Sequence, residues 1–259
     1  MPANAPMEQT TTSETDAATR EERESPRHGF QGDRAPAPPP PSVPASLTIA
    51  VSREAGSRGG TIARRAGKKL GWQVYDQELL EYIAQEGAFR QGIAEALPPA
   101  AAVWAEERLQ ALTREQNLSK HPAILELARI VLALGAQGDA IVLGRGAGCI
   151  LPPESTLNVR IMAPLADRIA YMSQHLLRSE EETAIEVELR DRLRFEFITT
   201  HFHRQPTEVY QYDLLLNSKL LGEEISAELI AQAARAKLAA LRRAGSSPAI
   251  WLPDAIAGP

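Results

Sequence analysis

The sequence predicts an α/β protein: a parallel sheet covered by helices on both faces. Two observations carry that expectation. Five short apolar runs, at 47–51 (LTIAV), 72–75, 140–143, 157–162 (LNVRIM) and 212–216 (YDLLL), have the length and residue types of strands. Segments of helical periodicity separate them. Strands that are apolar on both sides and alternate with helices belong in a parallel sheet buried from above and below. Composition agrees. With 44% hydrophobic and 24% charged residues, the chain suits one globular domain with at most a smaller insert. Aromatics are 5%, so the core must be aliphatic.

Each element has its own local reason. The first strand runs into the polar, glycine-rich SREAGSRGG, and a helix follows over 61–70 with Gly71 as its stop. Residues 72–75 form a second strand, with a helix over 76–85. The stretch 88–120 holds Gly92, Pro98 and Pro99, then helical periodicity over 101–116. Pro122 suits a first helical position, and Ile124, Leu127, Val131 and Leu134 give the next helix a wide apolar face. Gly138-Asp139 turns into the strand 140–143. Strand 157–162 leads to a helix over 164–177. Ser179 with Glu182 three residues on has the form of a capping box, opening a long helix to about 202. The last strand precedes a helix over 223–241.

The ends are different material. Residues 1–45 hold Pro2, Pro6, Pro26, Pro36, Pro38, Pro39, Pro40, Pro41 and Pro44, and no Leu, Ile, Trp or Tyr. Such a segment buries too little apolar surface to offset its ordering entropy. It reads as a disordered arm, with APAPPPPSVP either a stiff spacer or a docking motif for a protein partner. Residues 246–259 read as a flexible tail. The folded domain is expected over 46–245.

Charge and cysteine content exclude several classes. A net charge of -5 argues against nucleic-acid partners and against anionic membranes. No apolar run approaches the roughly 18 residues of a spanning helix. Cys149, the single cysteine, rules out an intrachain disulfide and suits a cytoplasmic setting.

Three segments carry candidate chemistry. A strand, a glycine-rich turn and a helix is an arrangement that holds phosphates. Backbone N–H groups converge and the helix N-terminus adds positive potential. Here the turn is Ser52-Arg53-Glu54-Ala55-Gly56-Ser57-Arg58-Gly59-Gly60-Thr61. It lacks the lysine of GxxxxGK[ST], so a plain βα turn is the alternative. The second segment is Gly144-Arg145-Gly146 after the strand 140–143, at the strand end where open α/β sheets bind ligands. The third is ELRDRLRFEFITTHFHR, where Arg190 and Arg194 share a helix face. It reads either as a solvated helix with Glu186–Arg190 and Glu188–Arg192 pairs or as a cationic lid. His201 and His203 point to different sides of a helix and read as polar tips at its end. Glu54 reads either as a group that positions magnesium through water or, more simply, as an intraloop partner of Arg53.

Strand, SREAGSRGG, helix and then VYDQELL resembles the cytidylate kinase-like branch of the P-loop nucleoside monophosphate kinases. The resemblance implies a P-loop NTPase-like three-layer sandwich with a five-stranded parallel sheet. It implies a nucleoside monophosphate-type insert over about 76–120 and an arginine lid over about 179–205. Gly59 falls where the phosphate-binding lysine stands in the ordinary loop, and Arg58 where the branch has glycine. Either Arg58 or Arg53 is then the candidate for the missing charge. Thr61 falls near the residue that ligates magnesium. GRGAG resembles the GRD-x-G element, with Arg145 matching its arginine and Gly146 lacking its aspartate. RDRLRF resembles the RD-x-RD-x-R lid.

The implied activity is transfer of the ATP γ-phosphoryl to CMP or dCMP with Mg²⁺. The alternatives are a non-catalytic nucleotide- or phospholigand-binding module and a kinase for another small acceptor. The implied catalytic residues are Arg58, Arg145, Arg190 and Arg194. Ser52, Arg53, Gly56, Ser57, Gly59, Gly60, Thr61 and Arg192 are the expected ATP contacts. Asp76, Gly144, Arg145 and Asp213 are the expected acceptor contacts.

Overall fold

The computed structural model describes residues 46–86, Gly92, Glu95 and 97–246. The proline-rich arm, with its docking motif, and the tail beyond 246 lie outside the described residues. Five strands form one sheet: β1 (Thr48–Arg53), β2 (Gln73–Tyr75), β3 (Ala140–Leu143), β4 (Thr156–Met162) and β5 (Leu214–Asn217). Their order is β2-β3-β1-β4-β5 and every pairing is parallel. The helices are α1 (Gly59–Leu70), α2 (Gln77–Gln85), α3 (Pro99–Arg114), α4 (Pro122–Gln137), α5 (Ala147–Ile150), α6 (Leu165–Leu176), α7 (Glu180–Phe202) and α8 (Ser218–Ser246).

Two apolar layers cover the sheet. On one face, Ile49, Val51, Ile141, Val159 and Ile161 meet Ile62, Ala63 and Ala66 of α1 and Ala227, Ile230 and Ala234 of α8. The alanines let both helices lie close to the strands. On the other face, Ala50 and Val142 meet α2, α3, α4 and α5, with Phe202 from the end of α7. β3 is buried along its whole length, as a doubly covered central strand must be.

β4 breaks that rule. Leu157, Val159 and Ile161 are buried, whereas Asn158, Arg160 and Met162 between them are half-buried. A central strand with a polar row on one face has something other than core above it.

Most boundaries match expectation within two residues. Ser179 accepts the Glu182 N–H at 3.2 Å, and the capping box is complete in both directions. β5 starts two residues later than the apolar run, because Asp213 is held by other groups. α8 starts earlier than 223. A first turn begins at Ser218, and Gly222 (φ 71°) kinks it into the main helix.

Candidate active site

β1 and β3 are neighbours, and their following loops leave the sheet toward opposite faces. α1 packs in one layer and α5 in the other. A crevice must open between such loops at the carboxyl ends of the strands. It is a cleft of about 1130 Å³ lined by both glycine loops, by α6 and α7, and by Gln211 and Tyr212.

The first loop is fixed from below. Ser57 is fully buried, and its hydroxyl donates to the carbonyls of Glu54 (2.9 Å) and Ile161 (3.2 Å). Ser218 Oγ donates to the Ser57 carbonyl at 2.8 Å. The first hydrogen bond of α1 is Ile62 N–H to Arg58 O, so the amides of Gly59, Gly60 and Thr61 have no intrahelical acceptor. Gly56, Gly59, Gly60 and Thr61 line the cleft. Ser57 is not among the lining residues; its side chain serves the loop.

Arg53 explains the glycine that stands in place of the lysine. A Cβ on Gly59 would lie 2.6 Å from Arg53 Cβ and 2.9 Å from its Cγ. A Cβ on Gly144 would collide with an Arg53 guanidinium nitrogen. The Arg53 side chain therefore threads between the two loops, through the space a side chain at 59 would need. Among the described residues it makes no ion pair or hydrogen bond. Burial first, then the Arg194 and Arg145 guanidinium groups, push it down to about 10, with Asp76 opposing. It remains a cation at neutral pH, crowded by two others.

Arg145 follows Gly144 with φ 52°. It pairs with Glu81 of α2 and lies 5.4 Å over the Phe197 ring. Its Nε is buried with no hydrogen-bond partner, and so is Nη1 of Arg194. Burial lowers the pKa of both groups. Eight arginines line the cleft, against the carboxylates of Glu54, Asp76, Glu78 and Asp191. In a chain of net charge -5, this is a concentrated cationic pocket.

α7 is one continuous 23-residue helix, with Arg190, Arg192 and Arg194 in its middle. It is anchored to the loop. Asp191 Oδ1 accepts the Ala55 N–H at 2.6 Å, and Oδ2 pairs with Arg168 Nη1 at 2.5 Å. Arg168 is buried and also donates to the carbonyls of Ala55 and Ala163, both at 3.0 Å. Arg194 faces inward beside Asp191 at 3.6 Å. Arg190 pairs with Glu186 at 2.6 Å, as the spacing predicts, and Arg192 is exposed. No Glu188–Arg192 ion pair is present among the described residues.

Other expected residues are more dispersed. Asp76 caps α2 by accepting the Leu79 N–H at 3.1 Å and also lines the cleft. Ser52 and Gly144 line it too. Asp213 does not. It pairs with Lys237 at 3.0 Å and accepts the Asn158 N–H at 2.7 Å, so its carboxylate holds β4 to β5. Glu54 is not the partner of Arg53. It lies 3.5 Å from Arg168 and 3.8 Å from Arg160, and accepts the Ala163 N–H. Arg58 turns away from the cationic cluster and lies 4.5 Å over the Tyr171 ring. His201 lies edge-on to Phe197 at 5.0 Å, and no three His, Cys, Asp or Glu side chains among the described residues group as metal ligands.

Arg64, Arg160, Arg168 and Asp191 belong to the site and were not among the expected site residues, although Asp191 lies inside the RDRLRF segment. The signal for Arg160 was present: LNVRIM alternates where a doubly covered strand should be apolar throughout.

Sheet order, parallel pairing and an arginine-lined cleft between the β1 and β3 loops define a P-loop NTPase-like α/β protein. The family model described as cytidylate kinase-like matches residues 48–220. The chain belongs to the cytidylate kinase-like family, and so to a family of phosphotransferases. A cytidylate kinase from Ignicoccus hospitalis is 24% identical over 183 residues, covering 70% of this chain and 95% of that protein. The crystal structure of an uncharacterized protein from Eubacterium ventriosum shares the fold. Its TM-score is 0.52 at 15% identity, over 74% of this chain and 99% of the other. No helix among the described residues is long and apolar enough to cross a membrane.

Proposed function

We propose that this protein is an ATP-dependent nucleoside monophosphate kinase that phosphorylates CMP or dCMP in the cytoplasm. The observation that carries the reading is the convergence of Arg53, Arg145 and Arg194 where two glycine loops meet. Three guanidinium groups gathered there, with burial and the other two pushing Arg53 down, are costly alone and favourable around a polyphosphate. The cytidylate kinase relative supports the choice of acceptor.

The amides of Gly59, Gly60 and Thr61 hold the donor phosphates with Gly56 beside them, the Ser57 N–H being spent on the Glu54 carbonyl, and Arg53 supplies the charge of the absent lysine. Ser52 and Gly144 line the cleft beside the nucleotides. Arg145 holds the acceptor phosphate, with Asp76 beside it. An acceptor phosphate oxygen forms a bond to the γ-phosphorus as the bond to the β,γ-bridging oxygen breaks, and ADP leaves with that electron pair. Arg194 and Arg190 neutralise charge on the moving group, and Arg192 adds to the rim. Asp191 and Arg168 keep the arginines at that distance.

Magnesium fits this cleft as an ion carried by the phosphates. Thr61 supplies a hydroxyl, and Asp76 and Glu78 line the wall. Such sites use one or two protein oxygens plus phosphates and water. Bound there, the ion would offset charge on the phosphates.

One observation favours a different acceptor: Gly146 lacks an aspartate, and Glu81 occupies Arg145. Full-length protein with ATP, Mg²⁺ and a panel of nucleoside monophosphates decides. ADP release with CMP or dCMP is expected. Release with another acceptor reassigns the substrate, and ATP binding without turnover overturns the kinase reading.

A further inference from the structure

We infer that Arg58 and Tyr171 form a stacking platform for the base of the donor nucleotide, an inference that rests on the kinase reading. Arg58 has φ 60°, a left-handed conformation that costs an L-residue about 1 kcal/mol over glycine. The return for that strain is visible in where the side chain goes. Its guanidinium lies 4.5 Å over the Tyr171 ring. Tyr171 is fixed in turn by His175, whose ring is 4.3 Å away and whose Nε2 is 3.2 Å from the phenol oxygen. Glu223 approaches the edge of Arg58 at 3.9 Å.

The geometry gives Arg58 to the base wall, since its guanidinium lies over Tyr171. A guanidinium stacked on a phenol is a flat, weakly hydrated plate. Tyr171, Met172, His175 and Leu176 continue it along the wall of the cleft. Aromatic, thioether and aliphatic groups beside a planar cation suit a flat heterocycle rather than a phosphate. Arg58 caps α1 next to the free amides of Gly59 and Gly60, so the base it meets belongs to the donor. The acceptor side is marked by Arg145, on the other loop.

The test compares ATP with inorganic tripolyphosphate, by calorimetry on full-length wild type, Arg58→Lys and Tyr171→Leu. Arg58→Lys keeps the charge and the backbone strain but loses the plate, while Tyr171→Leu leaves charge untouched. Each variant should weaken ATP about 5- to 20-fold and shift tripolyphosphate less than about twofold. An equal loss for both ligands, or no loss for ATP, overturns the platform and leaves the kinase reading standing. Wild-type protein that binds neither ligand overturns both.

Discussion

At the residue scale, the loop rests on an exchange. In the GxxxxGK[ST] spacing, the positions of Arg53 and Gly59 belong to glycine and lysine. Here arginine stands at the strand end and glycine at the helix start, and the side chain of the first crosses the space above the second. A half-buried cation beside two others costs stability that function retains. Arg53→Met should therefore raise Tm by about 2–4 °C, on the order of 1 kcal/mol for a domain of this size, while weakening polyphosphate binding. Calorimetric melts with and without tripolyphosphate check both parts. Cys149 stands at the other extreme. Burial pushes its thiol up to about 11, against a smaller opposing pull from Arg204. At pH 8 roughly a thousandth is thiolate, so labelling by a disulfide reagent should be slow and speed up as pH rises toward 11. Fast labelling at pH 8 would contradict that burial. The glycines and arginines of both loops were legible as motifs. The direction of Arg53 and Arg58 was not, because each depends on a neighbour from another element, Gly144 or Tyr171.

At the element scale, the sequence predicts an arginine lid, and the arginines lie on a docked helix. Asp191 binds the Ala55 amide and pairs with Arg168, fixing α7 to the phosphate loop at its midpoint. Asp191→Ala removes both bonds and leaves Arg168 with Glu54 as its carboxylate partner and the carbonyls of Ala55 and Ala163 as acceptors. It should cost about 2–3 kcal/mol in urea denaturation, and Asp191→Asn, which still accepts the Ala55 N–H, should cost less. Equal stability of the alanine variant and wild type would mean that α7 is not tied to the loop. Residues 55, 168 and 191 are far apart in sequence, so no local pattern marks this contact. The capping box at Ser179 and the alternation in β4 are local, and the sequence carries both. The β5 start was misjudged because Asp213 sits in an apolar run yet is spent on Lys237 and the Asn158 amide.

At the scale of the whole molecule, an acidic chain concentrates arginine in one cleft between loops that leave the sheet in opposite directions. Sheet membership and layering follow from apolar runs and helical periodicity. Strand order came only with the structure, because periodicity does not say which strand lies beside which. Such a pocket should bind tripolyphosphate less tightly as salt rises from 0.05 to about 0.5 M, since screening shortens to a few ångströms. Titrations at the two ionic strengths test this, and an affinity indifferent to salt would contradict a cationic cleft.

The exchange of Arg53 and Gly59 is tested most directly by ATP affinity in two variants. Arg53→Gly removes the cation and should weaken binding about 10- to 100-fold, the range of a charged hydrogen bond. Adding Gly59→Lys to it rebuilds the ordinary loop in the vacated space and should recover most of that loss. An Arg53→Gly variant that binds ATP like wild type, or a double variant no better than the single one, would contradict the assignment of Arg53 as the cation of the phosphate loop.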